Sequence, residues 1–170
     1  MKLKVVKPQW EHIEEILNAL EDFKKYPNEI KENIQGSSDI LSFERIEDWL
    51  EFVHEGVGNA GWMPFNQYLA LDEENKVIGF INLRLKLNEY LLNFGGHIGY
   101  GVVPSRRKQG HATEMLKQTL KIAKKEGINE ILITCLDSNI ASEKVILNNG
   151  GIYEDSRING DKTIKRFWIK

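Results

Sequence analysis

The stretch Ile98-Gly99-Tyr100-Gly101-Val102-Val103-Pro104-Ser105-Arg106-Arg107-Lys108-Gln109-Gly110-His111-Ala112-Thr113 decides how this chain reads. A strand from His97 to Val103 stops at Pro104, a basic turn follows, and a helix opens at Gly110. Met115, Leu116, Leu120, Ile122 and Ala123 carry that helix to about Glu126, and Gly127 ends it. A helix N-terminus exposes unpaired backbone N–H groups at the positive end of the macrodipole, which suits an anion. Gly110 lets the backbone approach that anion, Ala112 keeps the next turn small, and Arg107 and Lys108 add positive charge. The turn therefore reads as a phosphate cradle. A solvated basic loop is the ordinary alternative for Arg106-Arg107-Lys108, and the helix-opening glycine weighs against it. Two other phosphate motifs fit worse. A Walker turn needs Ser or Thr after Gly-Lys, whereas Gly110 is followed by His111; Gly99-x-Gly101 begins like a dinucleotide fingerprint, but Pro104 stands where its third glycine belongs.

Outward from the cradle the periodicities alternate. Downstream, Glu130 to Cys135 reads as a buried strand of the parallel kind, Asn139 to Asn149 as a helix closed by Gly150-Gly151, and Ile152 to Arg157 with Thr163 to Ile169 as a hairpin turning at Asn159-Gly160. Upstream, Lys2 to Lys7 alternates as a strand, and Trp10, Ile13, Ile16, Leu17, Leu20 and Phe23 fall at helical spacing. Tyr26 to Ser42 is loop with room for one helical turn, and Ile46, Trp49, Leu50 and Val53 mark a second helix. Gln67 to Leu71 and Lys76 to about Leu87 form a hairpin, and Asn88 to Gly96 is loop. The expected fold is α/β: a mixed sheet covered by helices.

The chain has 170 residues, 41% hydrophobic and 28% charged, with a formal net charge of -2. That is one soluble domain, expected over residues 1–170, with no global field toward nucleic acid or an anionic membrane. No apolar run approaches the roughly 20 residues that span a bilayer, and no signal-peptide core is read at the N-terminus. The single Cys135 forbids an intrachain disulfide and fits the cytoplasm; it reads as core rather than nucleophile. Monomer and homodimer both stay open. His12, His54, His97 and His111 show no metal-ligand spacing, so no metal is expected. Trp62-Met63-Pro64-Phe65, apolar in a loop, either walls an acceptor pocket or covers a sheet edge.

Arg107-x-x-Gly110-x-Ala112 resembles the Arg/Gln-x-x-Gly-x-Gly/Ala signature of the GNAT superfamily of acyl-CoA-dependent N-acyltransferases. Asn139-Ile140-Ala141-Ser142, on the helix after the next strand, is similar to the family's second motif, and the element order is similar over nearly the whole chain. The resemblance implies a mostly antiparallel mixed sheet in which the strands at His97–Val103 and Glu130–Cys135 splay apart. Acetyl-CoA would lie in the gap. Its pantetheine arm would pair with Gly101, Val102 and Val103, and its pyrophosphate would rest on Arg107, Lys108, Gln109, Gly110, His111, Ala112 and Thr113. Asn139 and Ser142 would meet the rest of the cofactor, although Asn139 is also a natural helix N-cap.

The resemblance further implies direct attack of an amine on the thioester in a ternary complex, with a small molecule or a protein N-terminus as acceptor. Many relatives carry a base at the start of the splayed strand. His97 stands there, either as that base or as a hydrogen-bonded structural histidine. Relatives often place a tyrosine acid four residues after Ser142. Here that residue is Ile146, which leaves Ser142 as the candidate to assist the departing thiolate. Ile146 also keeps open a non-catalytic CoA-binding regulatory domain of the same fold.

Overall fold

Residues 2–170 are described by a computed structural model. Four strands make the first sheet, in the order β1 (Lys4–Val6), β2 (Phe65–Leu71), β3 (Val77–Arg84), β4 (Ile98–Val102), each antiparallel to its neighbour. The β3 register fixes what each face carries. Phe80 stands opposite Gly101 and Asn82 opposite Gly99, whereas Gly79, Ile81 and Leu83 stand opposite Val102, Tyr100 and Ile98. Opposed residues share a face, so Phe80, Asn82, Gly99 and Gly101 point one way and Ile81, Leu83, Ile98, Tyr100 and Val102 the other.

Each face acquires its own helices. α1 (Ile13–Lys24) presents Ile16, Leu20 and Phe23, and α2 (Ile46–Glu55) presents Trp49, Leu50 and Val53, to a core with Leu69 and Phe80. Phe80 is fully buried and meets the Trp49 ring edge-on at 6.4 Å. α2 stops where Gly56 turns left-handed at φ 67. On the opposite face lies α3 (His111–Lys125), whose Met115 and Leu116 pack with Ile78, Ile81 and Leu83. Gly79 suits the close approach there, since a Cβ would stand 2.6 Å from the Met115 methyl and 2.9 Å from the Gly101 carbonyl oxygen.

The second sheet has the order β5 (Ile131–Leu136), β7 (Lys162–Ile169), β6 (Ile152–Asn159), and α4 (Ile140–Asn148) connects β5 to β6. β5 pairs antiparallel with β7, from Ile131 with Ile169 to Leu136 with Ile164. This corrects the parallel reading of that strand: its apolar run reflects the core shared with α3 and β4, not a parallel ladder. The two sheets meet where the His97 N–H donates to the Leu132 carbonyl at 2.7 Å, and no ladder continues beyond that point. β4 and β5 therefore diverge, as expected of the splayed pair. Two segments read as loop contain short helical turns, at Pro27–Glu29 and Ile40–Ser42 in the first and Leu91–Gly95 in the second.

Candidate active site

At the open end of β4 the chain makes a short helical turn, Pro104–Arg106, then runs extended at Arg107, left-handed at Lys108 (φ 61) and left-handed again at Gly110 (φ 81) before α3 begins. Alternation of this kind turns successive N–H groups toward one point. Glu114 is the first residue to close a helical bond, its N–H donating to the Gly110 carbonyl at 3.3 Å. The amides of Lys108 through Thr113 have no acceptor among the described residues, and Gly110 supplies no side-chain cap. An uncapped helix N-terminus carrying such a run of free donors fits a pyrophosphate.

The charges around it are arranged differently from the sequence reading. Arg106 is tied to Asp72 at 2.9 Å. Arg107 pairs with Glu29 at 2.8 Å, and its Nε donates to the Val102 carbonyl at 3.2 Å. Lys108 is exposed and makes no ion pair among the described residues. The half-exposed Arg107–Glu29 pair is worth less than about 1 kcal/mol, so an arriving phosphate competes with it easily. The His111 ring is buried with neither nitrogen hydrogen-bonded. Burial, with the Arg106 cation adding to it, lowers its pKa. Only its backbone amide is offered to the cradle.

The edge of β4 also departs from expectation. The Val103 N–H donates to the Ile78 carbonyl at 2.9 Å, and by the alternation of an antiparallel ladder Gly101 likewise spends its backbone groups on β3. Of Gly101, Val102 and Val103, only Val102 faces the opening, joined there by Ile98 and Tyr100. Gly101 serves the other face, where a Cβ would stand 2.6 Å from the Gln35 carbonyl.

His97 is corrected in the same way. It is 6% exposed, its Nδ1 accepts from the Leu132 N–H at 2.9 Å, and its carbonyl accepts from the Arg84 N–H at 2.7 Å. Burial, assisted by the nearby Arg84 cation, depresses its pKa to about 4. A neutral ring accepting at Nδ1 carries its proton on Nε2 and has no lone pair left for an ammonium. His97 is thus a rivet at the base of the splay, not a base. The unfolded ring titrates near 6.5, so above that pH both states are neutral. As pH falls from about 6.5 to about 4 the unfolded chain takes the proton first, and stability is lost across that window, by up to about 3 kcal/mol. Thermal melts across this range should show the loss in wild type and a shallower one in His97→Gln, which cannot titrate. Parallel curves would contradict a ring buried in its neutral form.

Across the opening, the Tyr100 hydroxyl of β4 is hydrogen-bonded to the Ser142 hydroxyl of α4 at 2.8 Å. Burial pushes the phenol up to about 12, so it stays protonated at neutral pH. Ser142 is placed by its own N–H, which donates to Asn139 Oδ1 at 3.1 Å, making Asn139 the N-cap of α4. Ile146 is fully buried in the core. Cys135 is buried, with its thiol raised to about 11 chiefly by burial, as befits a core residue. Sequence reasoning missed Tyr100, although its position between Gly99 and Gly101 on the strand leading to the cradle was a usable signal.

The profile described as acetyltransferase (GNAT) domain matches residues 2–152. The chain belongs to the GNAT acetyltransferase family. Solved GNAT structures share its fold. A ribosomal L7/L12 alpha-N-protein acetyltransferase in complex with coenzyme A superposes with a TM-score of 0.69 at 17% identity, covering 99% of this chain and 94% of that one. A GNAT-family acetyltransferase from Streptococcus pneumoniae gives 0.69 at 14% identity, covering 99% and 98%. Spermidine/spermine N-acetyltransferase from Vibrio cholerae gives 0.63 at 14%, covering 99% and 94%. No curated protein matches the chain significantly.

On the face of this GNAT sheet opposite α3 lies a cavity of about 370 Å3, walled by Trp62, Met63 and Phe65 and floored by Asn82 and Arg84. The apolar loop Trp62 to Phe65 is therefore cavity wall. No group of His, Cys, Asp and Glu residues among those described is arranged to hold a metal, and no described helix is long and apolar enough to cross a membrane.

Proposed function

We propose that this acetyltransferase acts as one domain over residues 1–170 and moves an acetyl group from acetyl-CoA to a primary amine by direct attack in a ternary complex. The observation that carries the reading is the run of unclaimed amides from Lys108 to Thr113, opening α3 beside the splay. In this reading those amides and Lys108 hold the pyrophosphate, Arg107 joins them by exchanging Glu29 for phosphate, and the open edge of β4 at Val102 and Tyr100 receives the pantetheine arm. Asn139 keeps its amide nitrogen free for that arm while its oxygen caps α4.

Acetyl-CoA supplies an activated acyl group. The acceptor nitrogen forms a bond to the acyl carbon, the carbon–sulfur bond breaks, and the acceptor proton passes to water through the open cavity. The Tyr100–Ser142 pair donates a hydrogen bond, and then a proton, to the departing sulfur, and recovers that proton from water. The acceptors named for the neighbours, an N-terminal amine and spermidine or spermine, have an accessible primary amine in common. The single buried Cys135 suits a reducing cytoplasm. Thiol release from acetyl-CoA with a panel of primary amines tests the reading. Amine-dependent release is expected; tight CoA binding with no amine-dependent release from any acceptor would leave only a CoA-binding domain.

A further inference from the structure

Two groups in the floor of the cavity lack the partners their chemistry calls for. The first is Asn82, 4% exposed, whose Nδ2 donates to Ser38 Oγ at 2.6 Å while Oδ1 has no partner. The surrounding network fixes which way this amide faces. Gln67 Nε2 donates to the Gly36 carbonyl at 2.8 Å and the Tyr68 carbonyl at 3.0 Å, so Gln67 Oε1 faces Ser38 and accepts its hydroxyl. Ser38 Oγ is then left as an acceptor, which assigns the nitrogen of Asn82 to it and leaves the oxygen over. An unpaired buried carbonyl is costly, and its natural complement is an N–H.

The second group is Arg84. Its Nη1 donates to the Gly95 carbonyl at 3.2 Å and the Gly96 carbonyl at 3.4 Å, but no carboxylate among the described residues lies within ion-pair distance. Burial lowers its pKa to about 10, which leaves it cationic at neutral pH. Arg84 and Asn82 share a face of β3, and the guanidinium folds back over Gly99, the residue opposite Asn82: a Cβ at Gly99 would stand 3.3 Å from Nη2. Glycine at that position leaves room for the cation. Glu32 and Asp39 also line the cavity, neither paired with Arg84. The left-handed Asp39 (φ 61) still lies close enough to favour the guanidinium's charge.

We propose that this cavity selects a small acceptor bearing both an amine and a carboxylate, of the free amino acid class. The carboxylate pairs with Arg84, an N–H of the amine is received by Asn82 Oδ1 once that covered oxygen turns toward it, and the nitrogen faces the edge of β4 where acyl transfer takes place. The proposal rests on the acyl-transfer reading of the same site. It disfavours a polyamine, whose second cation would approach Arg84, and a protein N-terminus, whose neighbouring carboxyl is an uncharged amide.

The test uses the full chain and matched acceptors: common amino acids, their amides, and their decarboxylated amines, with spermidine added. Binding to the CoA-loaded protein is measured by calorimetry and turnover by thiol release. Acids should exceed their amides by about tenfold or more in both, the scale of one charge-assisted pair. Arg84→Gln should raise KM for the acid by a larger factor than for the amide, and Arg84→Lys should keep part of the preference. The acid-against-amide comparison in wild type does not depend on either variant folding. Equal use of acids and amides, a preference for spermidine, absence of binding by any acid, or equal losses in Arg84→Gln would each overturn the proposal. Turnover without a carboxylate preference leaves the acyltransferase reading standing. Carboxylate-dependent binding without turnover upholds the pocket and removes that reading instead.

Discussion

Gly110→Val should weaken CoA binding by about 100-fold or more. The residue holds φ 81 at the N-cap of α3, a conformation in which a β-branched side chain is strongly disfavoured. Relaxing that strain would rotate the amides of His111 and Ala112 away from their common focus, and the valine side chain would crowd the space a phosphate needs. Backbone strain of this sort costs about 1–3 kcal/mol, so a loss of affinity has to be separated from a loss of fold. Gly127→Val is the matched control: Gly127 has φ 85 at the other end of the same helix, and an added Cβ meets nothing within 4 Å. It carries similar strain but lies away from the cradle, so it should lower stability while leaving CoA affinity unchanged. Arg107→Ala should cost only a few-fold, because its guanidinium is shared with Glu29 and the Val102 carbonyl. Calorimetric titration with CoA, alongside urea melts, distinguishes these cases. Undiminished affinity in folded Gly110→Val would remove the cradle from the binding site.

What the sequence made legible is local. Gly110 before an amphipathic run, Pro104 after an alternating one and Gly127 past the last apolar turn are contiguous signals, and the corresponding elements lie where those signals place them. The family resemblance rests on the same stretches and is borne out by the match over residues 2–152. What could not be read depends on register and on contacts between distant residues. Whether Gly101 or Val102 faces the opening follows from the pairing of Gly79 with Val102, which alternation within one strand does not reveal. The choice between the two readings of His97 was hidden for a similar reason: its ring is spent on Leu132, 35 residues away, which supports the structural one. The basic run looked like free charge because Asp72 and Glu29, which engage Arg106 and Arg107, are far off in sequence. Asn82 gave no signal at all within an apolar strand, since its unmet oxygen is defined only by Ser38 and Gln67.

Tyr100→Phe should lower the rate of the chemical step by about 10- to 100-fold with little change in CoA affinity, the lower range of general acid catalysis. The argument starts from Ile146, which is fully buried where relatives often carry a phenol. A new tyrosine there would have to fit a fully buried core position, where the extra volume costs about 1–3 kcal/mol. Tyr100 brings a phenol to α4 from the facing strand, and Ser142 holds it at 2.8 Å. With its pKa raised to about 12, the hydroxyl remains a donor throughout the pH range in which a primary amine becomes nucleophilic. Ser142→Ala leaves that phenol in place but unanchored, and should cost about tenfold, or about 1.4 kcal/mol of barrier. If the two hydroxyls act as one unit, the double variant should be little worse than Tyr100→Phe alone. The measurement is single-turnover thiol release at saturating acceptor, where chemistry is separated from product release. Wild-type rates in Tyr100→Phe under those conditions would mean that the thiolate leaves unassisted and that the Tyr100–Ser142 bond only ties β4 to α4.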